Sequence, residues 1–74
     1  MVQRRLDLQS RQCPVAVRAT SNALAQMASG ELIEVLATDP CTVREFASWA
    51  RSTGNDLLES SKFGSVFRFV IRKV

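Results

Sequence analysis

Histidine and tyrosine are absent from this 74-residue chain, and cysteine occurs only twice. Without histidine, the chain has no Cys–His or Ser–His pair for nucleophilic catalysis. Two cysteines alone cannot build a four-thiolate zinc site, and mixed Cys/His sites are excluded as well, so we expect no metal. Two cysteines are also too few to form the disulfide framework of a small secreted fold. Any cysteine chemistry must therefore use a thiol that is activated by something other than a neighbouring base.

Long apolar runs are missing too. No stretch approaches the roughly 20 apolar residues that span a bilayer. The first ten residues carry charge but lack the apolar segment of a secretory signal. We therefore expect a cytoplasmic protein with no membrane partner. A chain of this length should form one domain, residues 1–74, around one core.

The net charge of +3 is modest, and acidic residues are interspersed among the basic ones. This pattern favours a solvated surface of mixed charge. An acidic protein partner or RNA remains open as an alternative.

The apolar pattern predicts four strands and two helices in the order βαβαββ. The strands are expected at 4–8, 31–38, 55–61 and 66–74, and the helices at 14–29 and 40–53. Gly30 and Gly54 should end the two helices. Both helices should pack on one face of a mixed sheet and leave the other face, with Arg68 and Arg72, in water. The expected fold class is thus α/β (α+β), a two-layer sandwich.

The helical spacing also predicts which side chains face the core. Trp49 should lie half-covered at the edge of the second helix. The expected inner faces are Ala16, Thr20, Ala23, Leu24 and Met27 on the first helix, and Val43, Phe46, Ala47 and Ala50 on the second.

Cys13 directly precedes Pro14, which fits the first position of a helix. The first turn of a helix has free N–H groups and the positive end of the helix dipole. A thiolate there is stabilised, so we expect the Cys13 pKa to lie below the free value of about 8.5. Arg11 adds positive charge nearby. Cysteine caps a helix poorly compared with Ser, Asp or Asn, which favours a use for the sulfur itself.

Several segments together resemble the TusA/SirA-like sulfur-carrier family. They are the leading "LDL", the "CP" at 13–14, the "SGE" before the second strand, the "ATDP" at 37–40, Gly54 and the closing "FRFVIRK". The resemblance covers about Leu6 to Lys73. It implies a βαβαββ two-layer sandwich, in agreement with the pattern above.

The resemblance also implies a role for Cys13. Members of the family accept sulfane sulfur as a persulfide on the Cys-Pro cysteine and pass it to another protein. The expected partners are a sulfur donor, such as a cysteine desulfurase or a rhodanese-like protein, and a sulfur acceptor. The acceptor would serve tRNA thiolation, cofactor synthesis or sulfur oxidation. We expect a monomer with no cofactor other than the transient persulfide.

One position departs from the family pattern, and another matches it with two possible roles. The family motif is Cys-Pro-x-Pro, but Ala16 stands here in place of the second proline, which should leave one more N–H donor near the sulfur. Asp39 matches the aspartate of the family's "DP". Its expected role is to cap the second helix, and a role in shaping the sulfur site is the alternative.

Cys41 follows at the start of the second helix. If the first two strands are parallel neighbours, Cys13 and Cys41 face the same edge of the sheet. Cys41 is interpreted as a first-turn residue without a role, and the alternatives are a second sulfur site or a resolving thiol. Packed helices usually lie 8–10 Å apart. We therefore expect two free thiols, no disulfide within the chain, and oxidation to a dimer through Cys13, taken as the more exposed thiol.

Two other functions stay open. One is an RNA- or protein-binding module that uses the arginine-bearing face of the sheet. The other is a dithiol redox protein that uses Cys13 and Cys41, which is less favoured because their spacing is unlike Cys-x-x-Cys.

Overall fold

The computed structural model describes residues 2–74, and Met1, with which the expected domain begins, lies outside the described residues. The elements follow one another in the predicted order. They are β1 (Val2–Leu8), α1 (Cys13–Leu24), β2 (Leu32–Ala37), α2 (Cys41–Thr53), β3 (Asp56–Phe63) and β4 (Val66–Arg72). The α+β fold class is therefore confirmed.

The sheet has the strand order β1-β2-β4-β3 and is mixed, as predicted. β1 and β2 are parallel neighbours, with Leu8 opposite Ala37 at their carboxyl ends. β4 runs antiparallel to both β2 and β3. The loops after β1 and β2 and the β3–β4 turn consequently lie at the same end of the strands. We call this end of the sheet the cysteine edge, because Cys13 and Cys41 come directly after the loops that follow β1 and β2.

The core lies between the sheet and the two helices. Phe46 of α2 is fully buried, and its ring centroid lies 4.7 Å from that of Phe69 on β4. Side chains of both helices belong to this one core, which confirms that the helices share one face of the sheet. Its buried members are Ala16, Ala23, Leu24, Met27, Ile33, Val35, Ala37, Phe46, Phe69 and Ile71.

The first helix ends earlier than predicted. α1 stops at Leu24, and the next residues form tight turns, with N–H bonds from Gln26 to Ala23 and from Met27 to Leu24. These turns bring Met27 into the core. Gly30 has a left-handed φ of 87°, but its N–H donates to Lys73 and not to the end of a helix. The prediction that Gly30 ends the helix was therefore wrong.

The second helix differs from the prediction on its inner face. Thr42 is fully buried and Val43 is 40% exposed. Thr42 tolerates burial because its hydroxyl donates to the carbonyl oxygen of Asp39 at 2.6 Å. Phe46 and Ala50 are buried, Ala47 and Trp49 are half-buried, and Gly54 ends the helix in the left-handed conformation, as predicted.

Ion pairs cover the face of the sheet that points away from the helices. The guanidinium of Arg68 donates to both Glu34 and Glu59, and that of Arg72 donates to Asp56. The hydrogen bond from Arg68 lowers the pKa of Glu59 below its ordinary value, and the Ser61 hydroxyl adds to this effect. A phosphate that approached Arg68 or Arg72 would have to displace a carboxylate.

None of the helices in residues 2–74 is long and apolar enough to cross a membrane.

Candidate functional site

Cys13 and Cys41 are the first residues of α1 and α2, and both lie at the cysteine edge. Their Cα atoms are 5.8 Å apart and their sulfur atoms are joined in a disulfide. Neither of the two cysteines is free. The prediction of two free thiols without an internal disulfide was therefore wrong.

The first residues of the two helices lie closer together than the roughly 8–10 Å that usually separates packed helix axes. Fully buried Ala16, one turn into α1, is a small residue that allows close packing, and α1 contacts α2 directly. The expected axial separation of 8–10 Å thus does not limit the distance between the first residues. The Cα separation falls within the 4.4–6.8 Å range of disulfides.

The carboxylate of Asp39 connects the two helix starts. One oxygen accepts the backbone N–H of Cys13 at 3.1 Å, and the other accepts that of Cys41 at 3.0 Å. Asp39 therefore supplies an acceptor to the first turns of both helices, where N–H groups lack helical partners. Asp39 was expected to cap the second helix, but Pro40 holds the N-cap position, and Asp39, one residue earlier, accepts the N–H of Cys41. The contact with Cys13 adds a link that the sequence pattern did not contain.

The exposure of the two cysteines is the reverse of the expected one. Cys13 is only 8% exposed, whereas Cys41 is exposed. The prediction that Cys13 is the more accessible thiol was wrong, because Cys13 is buried at the start of α1. In the disulfide, an external reagent meets Cys41 first.

The other residues of the Cys-Pro segment have simpler positions. Pro14 lies in the first turn of α1, as predicted, while Arg11 is exposed in the preceding loop. The N–H of Ala16 donates to the carbonyl oxygen of Gln12 at 3.0 Å. The expectation that Ala16 leaves a free donor near the sulfur was therefore wrong, since this N–H makes the first hydrogen bond of the helix.

Exposed apolar side chains lie around the cysteine edge. Val15 is 48% exposed and Val43 is 40% exposed, and each lies two residues after a cysteine. Phe63, the last residue of β3 at the same edge, is 64% exposed. The sequence pattern did not predict these exposed apolar side chains, because it placed Val43 on the inner face of the second helix.

The fold and the site define a class of small α+β proteins with a Cys-Pro cysteine at the first helix start, joined here to a second cysteine. A family model described as "Sulfurtransferase TusA" matches residues 4–73. The chain belongs to the TusA family.

Individual relatives agree with this assignment. The chain is 40% identical to the sulfur carrier protein TusA of Allochromatium vinosum over 68 residues, which cover 92% of this chain and 90% of the relative. It is 35% identical to the putative sulfur carrier protein YrkI of Bacillus subtilis, with 92% and 91% covered. The SirA-like protein of Desulfitobacterium hafniense shares the fold, with a TM-score of 0.84 at 22% identity and with 95% and 96% of the two chains covered.

Proposed function

We propose that this protein is a sulfur-relay carrier that accepts sulfane sulfur as a persulfide on Cys13 and transfers it to an acceptor protein. The observation that carries the proposal is the position of Cys13. The residue that matches the family's Cys-Pro cysteine is the first residue of α1, at an edge surrounded by exposed apolar side chains. The names of the relatives, which are sulfur carriers or putative sulfur carriers, support the same role.

Loading requires the open form of the cysteine pair. A disulfide-bonded sulfur is not a nucleophile, so a thiol must first reduce the Cys13–Cys41 bond. The Cys13 thiolate then attacks the outer sulfur of a donor persulfide. A bond forms between Cys13 Sγ and that sulfur, and the donor cysteine leaves as a thiolate. No general base is needed, in keeping with the absence of histidine.

The partners follow from this chemistry. The donor is a protein that carries a persulfide, such as a cysteine desulfurase or a rhodanese-like protein, and the acceptor presents a thiol or another nucleophile. Val15 and Val43 provide an apolar contact beside the two cysteines. The paired arginines of the outer face argue against RNA as the ligand.

The test is persulfide loading of the reduced protein, measured by intact mass. A cysteine desulfurase or a thiosulfate-loaded rhodanese serves as donor, and Cys41→Ser is the form in which we expect one added sulfur that disappears on reduction. Cys13→Ser should not be loaded. Loading that persists in Cys13→Ser and is lost in Cys41→Ser would overturn the assignment.

A dithiol redox function is the second candidate, and the Cα separation of 5.8 Å between the cysteines favours it. Such a protein would reduce a partner disulfide and would need both thiols. Sulfur loading of the Cys41→Ser variant distinguishes the two functions, because a carrier needs Cys13 alone.

A further inference from the structure

Persulfide loading and transfer on Cys13 do not use the thiol of Cys41. We propose that Cys41 is a resolving residue, which attacks the Cys13 persulfide, releases hydrogen sulfide and leaves the Cys13–Cys41 disulfide. This inference rests on the proposed persulfide at Cys13 and adds a second outcome for the bound sulfur. A carrier that meets no acceptor would discharge its sulfur as sulfide.

The geometry of the helix starts suits this reaction. The Cα atoms of the cysteines are separated by 5.8 Å, and the sulfur atoms are bonded at this separation. Asp39 holds the N–H groups of both cysteines with its two carboxylate oxygens. The backbone around the pair is therefore fixed for attack by one sulfur on the other, and the reaction within one chain avoids the cost of bringing two molecules together.

The chemistry balances without an external oxidant. The Cys41 thiol loses its proton to solvent, and its thiolate attacks Sγ of the Cys13 persulfide, whose outer sulfur carries a proton. The Sγ–Sγ bond forms, the bond between Cys13 Sγ and the outer sulfur breaks, and hydrosulfide leaves. Hydrosulfide takes up a proton to become hydrogen sulfide. Cys41 is oxidised and the outer sulfur is reduced, as in any thiol–disulfide exchange.

The burial of the two residues determines how the pair is reset. Cys41 is exposed, whereas Cys13 is 8% exposed. A small thiol therefore attacks Cys41, and Cys13 leaves as a thiolate at the start of α1, where the helix dipole favours negative charge. A second thiol then removes the first from Cys41 and restores the dithiol. Reduction in this order returns Cys13 as the free thiolate that loading requires.

The experiment follows the sulfur after loading. Three reduced proteins are compared: the wild type, Cys41→Ser and Cys41→Ala. Each is loaded by a cysteine desulfurase with limiting cysteine and is then desalted to remove thiols. Dissolved sulfide and intact mass are measured over time. Circular dichroism confirms that each variant is folded. The two replacements are matched, because serine places a hydroxyl where the thiol was and alanine leaves only the methyl group, so both remove the thiol.

We expect the wild type to release one sulfide for each sulfur loaded and to end two hydrogen atoms lighter than the dithiol. Its rate should not change on dilution, because the reaction occurs within one chain. Both variants should keep the added sulfur until a small thiol is supplied. The proposal is overturned if the wild type retains its sulfur as long as the variants do, or if discharge slows on dilution. If neither wild type nor variants bind sulfur or release sulfide, the carrier function itself fails.

Discussion

Asp39 is the residue on which the arrangement of the cysteine edge depends. Its two carboxylate oxygens accept N–H groups from two helices that are far apart in the chain. The sequence predicts a contact between Asp39 and the start of α2, because an aspartate before a helix commonly accepts N–H groups of its first turn. It does not predict the contact with Cys13, because that contact exists only once β1 and β2 have paired.

Asp39→Ala should destabilise the protein by about 1–2 kcal/mol, because the replacement removes the acceptor of two helix N–H groups. It should also slow closure of the disulfide, since the two helix starts lose their common link. Urea unfolding of the reduced protein measures the first effect, and the loss of free thiols during air oxidation measures the second.

Asp7→Ala is the matched control for this change. The Asp7 carboxylate accepts the N–H of Gln9 within an exposed turn and does not join two elements. Its replacement should leave the rate of disulfide closure unchanged. Equal rates for wild type and Asp39→Ala would show that Asp39 does not position the cysteines.

At the scale of elements, the strands are paired across the outer face by ion pairs between β2, β3 and β4. Arg68 lies between Glu34 and Glu59, and its ion pair with Glu59 stabilises the fold only while the Glu59 carboxylate is ionised. The pKa of Glu59 is lowered in the folded protein. The contribution of Glu59 is therefore present above its unfolded pKa of about 4.3 and is lost as the pH falls through the lower, folded value.

Glu59→Gln should reduce the loss of stability that accompanies acidification below about pH 4.3, because a glutamine has no proton to gain. Urea midpoints measured across this pH range give the slope for each variant. Glu45→Gln, which removes a carboxylate from an exposed position of α2, is the control. An unchanged slope in Glu59→Gln would contradict the assigned ion pair.

The first turns of α1 and α2 present valines beside the cysteines, and we expect a protein donor to dock against them. Val43→Ser should slow loading by a persulfide-carrying rhodanese about fivefold, the equivalent of about 1 kcal/mol at an interface. Loading by inorganic polysulfide should not change. The measurement is made on Cys41→Ser, so that the added sulfur is retained.

Leu58→Ser is the control for the docking surface. Leu58 is 49% exposed, but it lies in the bulge of β3 opposite Val70 and Ile71, away from the cysteine edge. Its replacement should leave loading by either donor as it is. If both serine variants slow the protein donor equally, the docking surface is not confined to the cysteine edge.

At the scale of the whole molecule, the disulfide closes a large part of the chain, because its cysteines are 28 residues apart. Closing a loop of this length lowers the entropy of the unfolded chain and so raises the free energy of unfolding by about 3–4 kcal/mol. We expect the oxidised protein to unfold at higher urea concentration than the reduced protein by this amount. The Cys13→Ser/Cys41→Ser double variant should unfold at the same urea concentration with and without reductant. Coincident unfolding curves for the two redox states would exclude the disulfide.

The order of elements, the fold class and the shared face of the helices were predictable, since they follow from local periodicity, from the prolines at the helix starts and from Gly54 at the end of α2. The early end of α1 was not, because the tight turns that bury Met27 depend on core space that only the folded sheet defines. The disulfide was not predictable either. The disulfide depends on the distance in space between the two helix starts, and the spacing of Cys13 and Cys41 in the sequence does not predict this distance.

The position of β4 has a consequence for how the chain is made. β4 comes last among the strands in chain order, yet it lies between β2 and β3. As the ribosome releases the chain, both cysteines and Asp39 emerge early, but Phe69 and Ile71 arrive only with β4. Until then β3 has no neighbour, one edge of β2 is open, and Phe46 lacks the ring of Phe69 that it contacts in the core. The nascent chain is thus most vulnerable to aggregation just before β4 emerges, which is where a chaperone would protect it most.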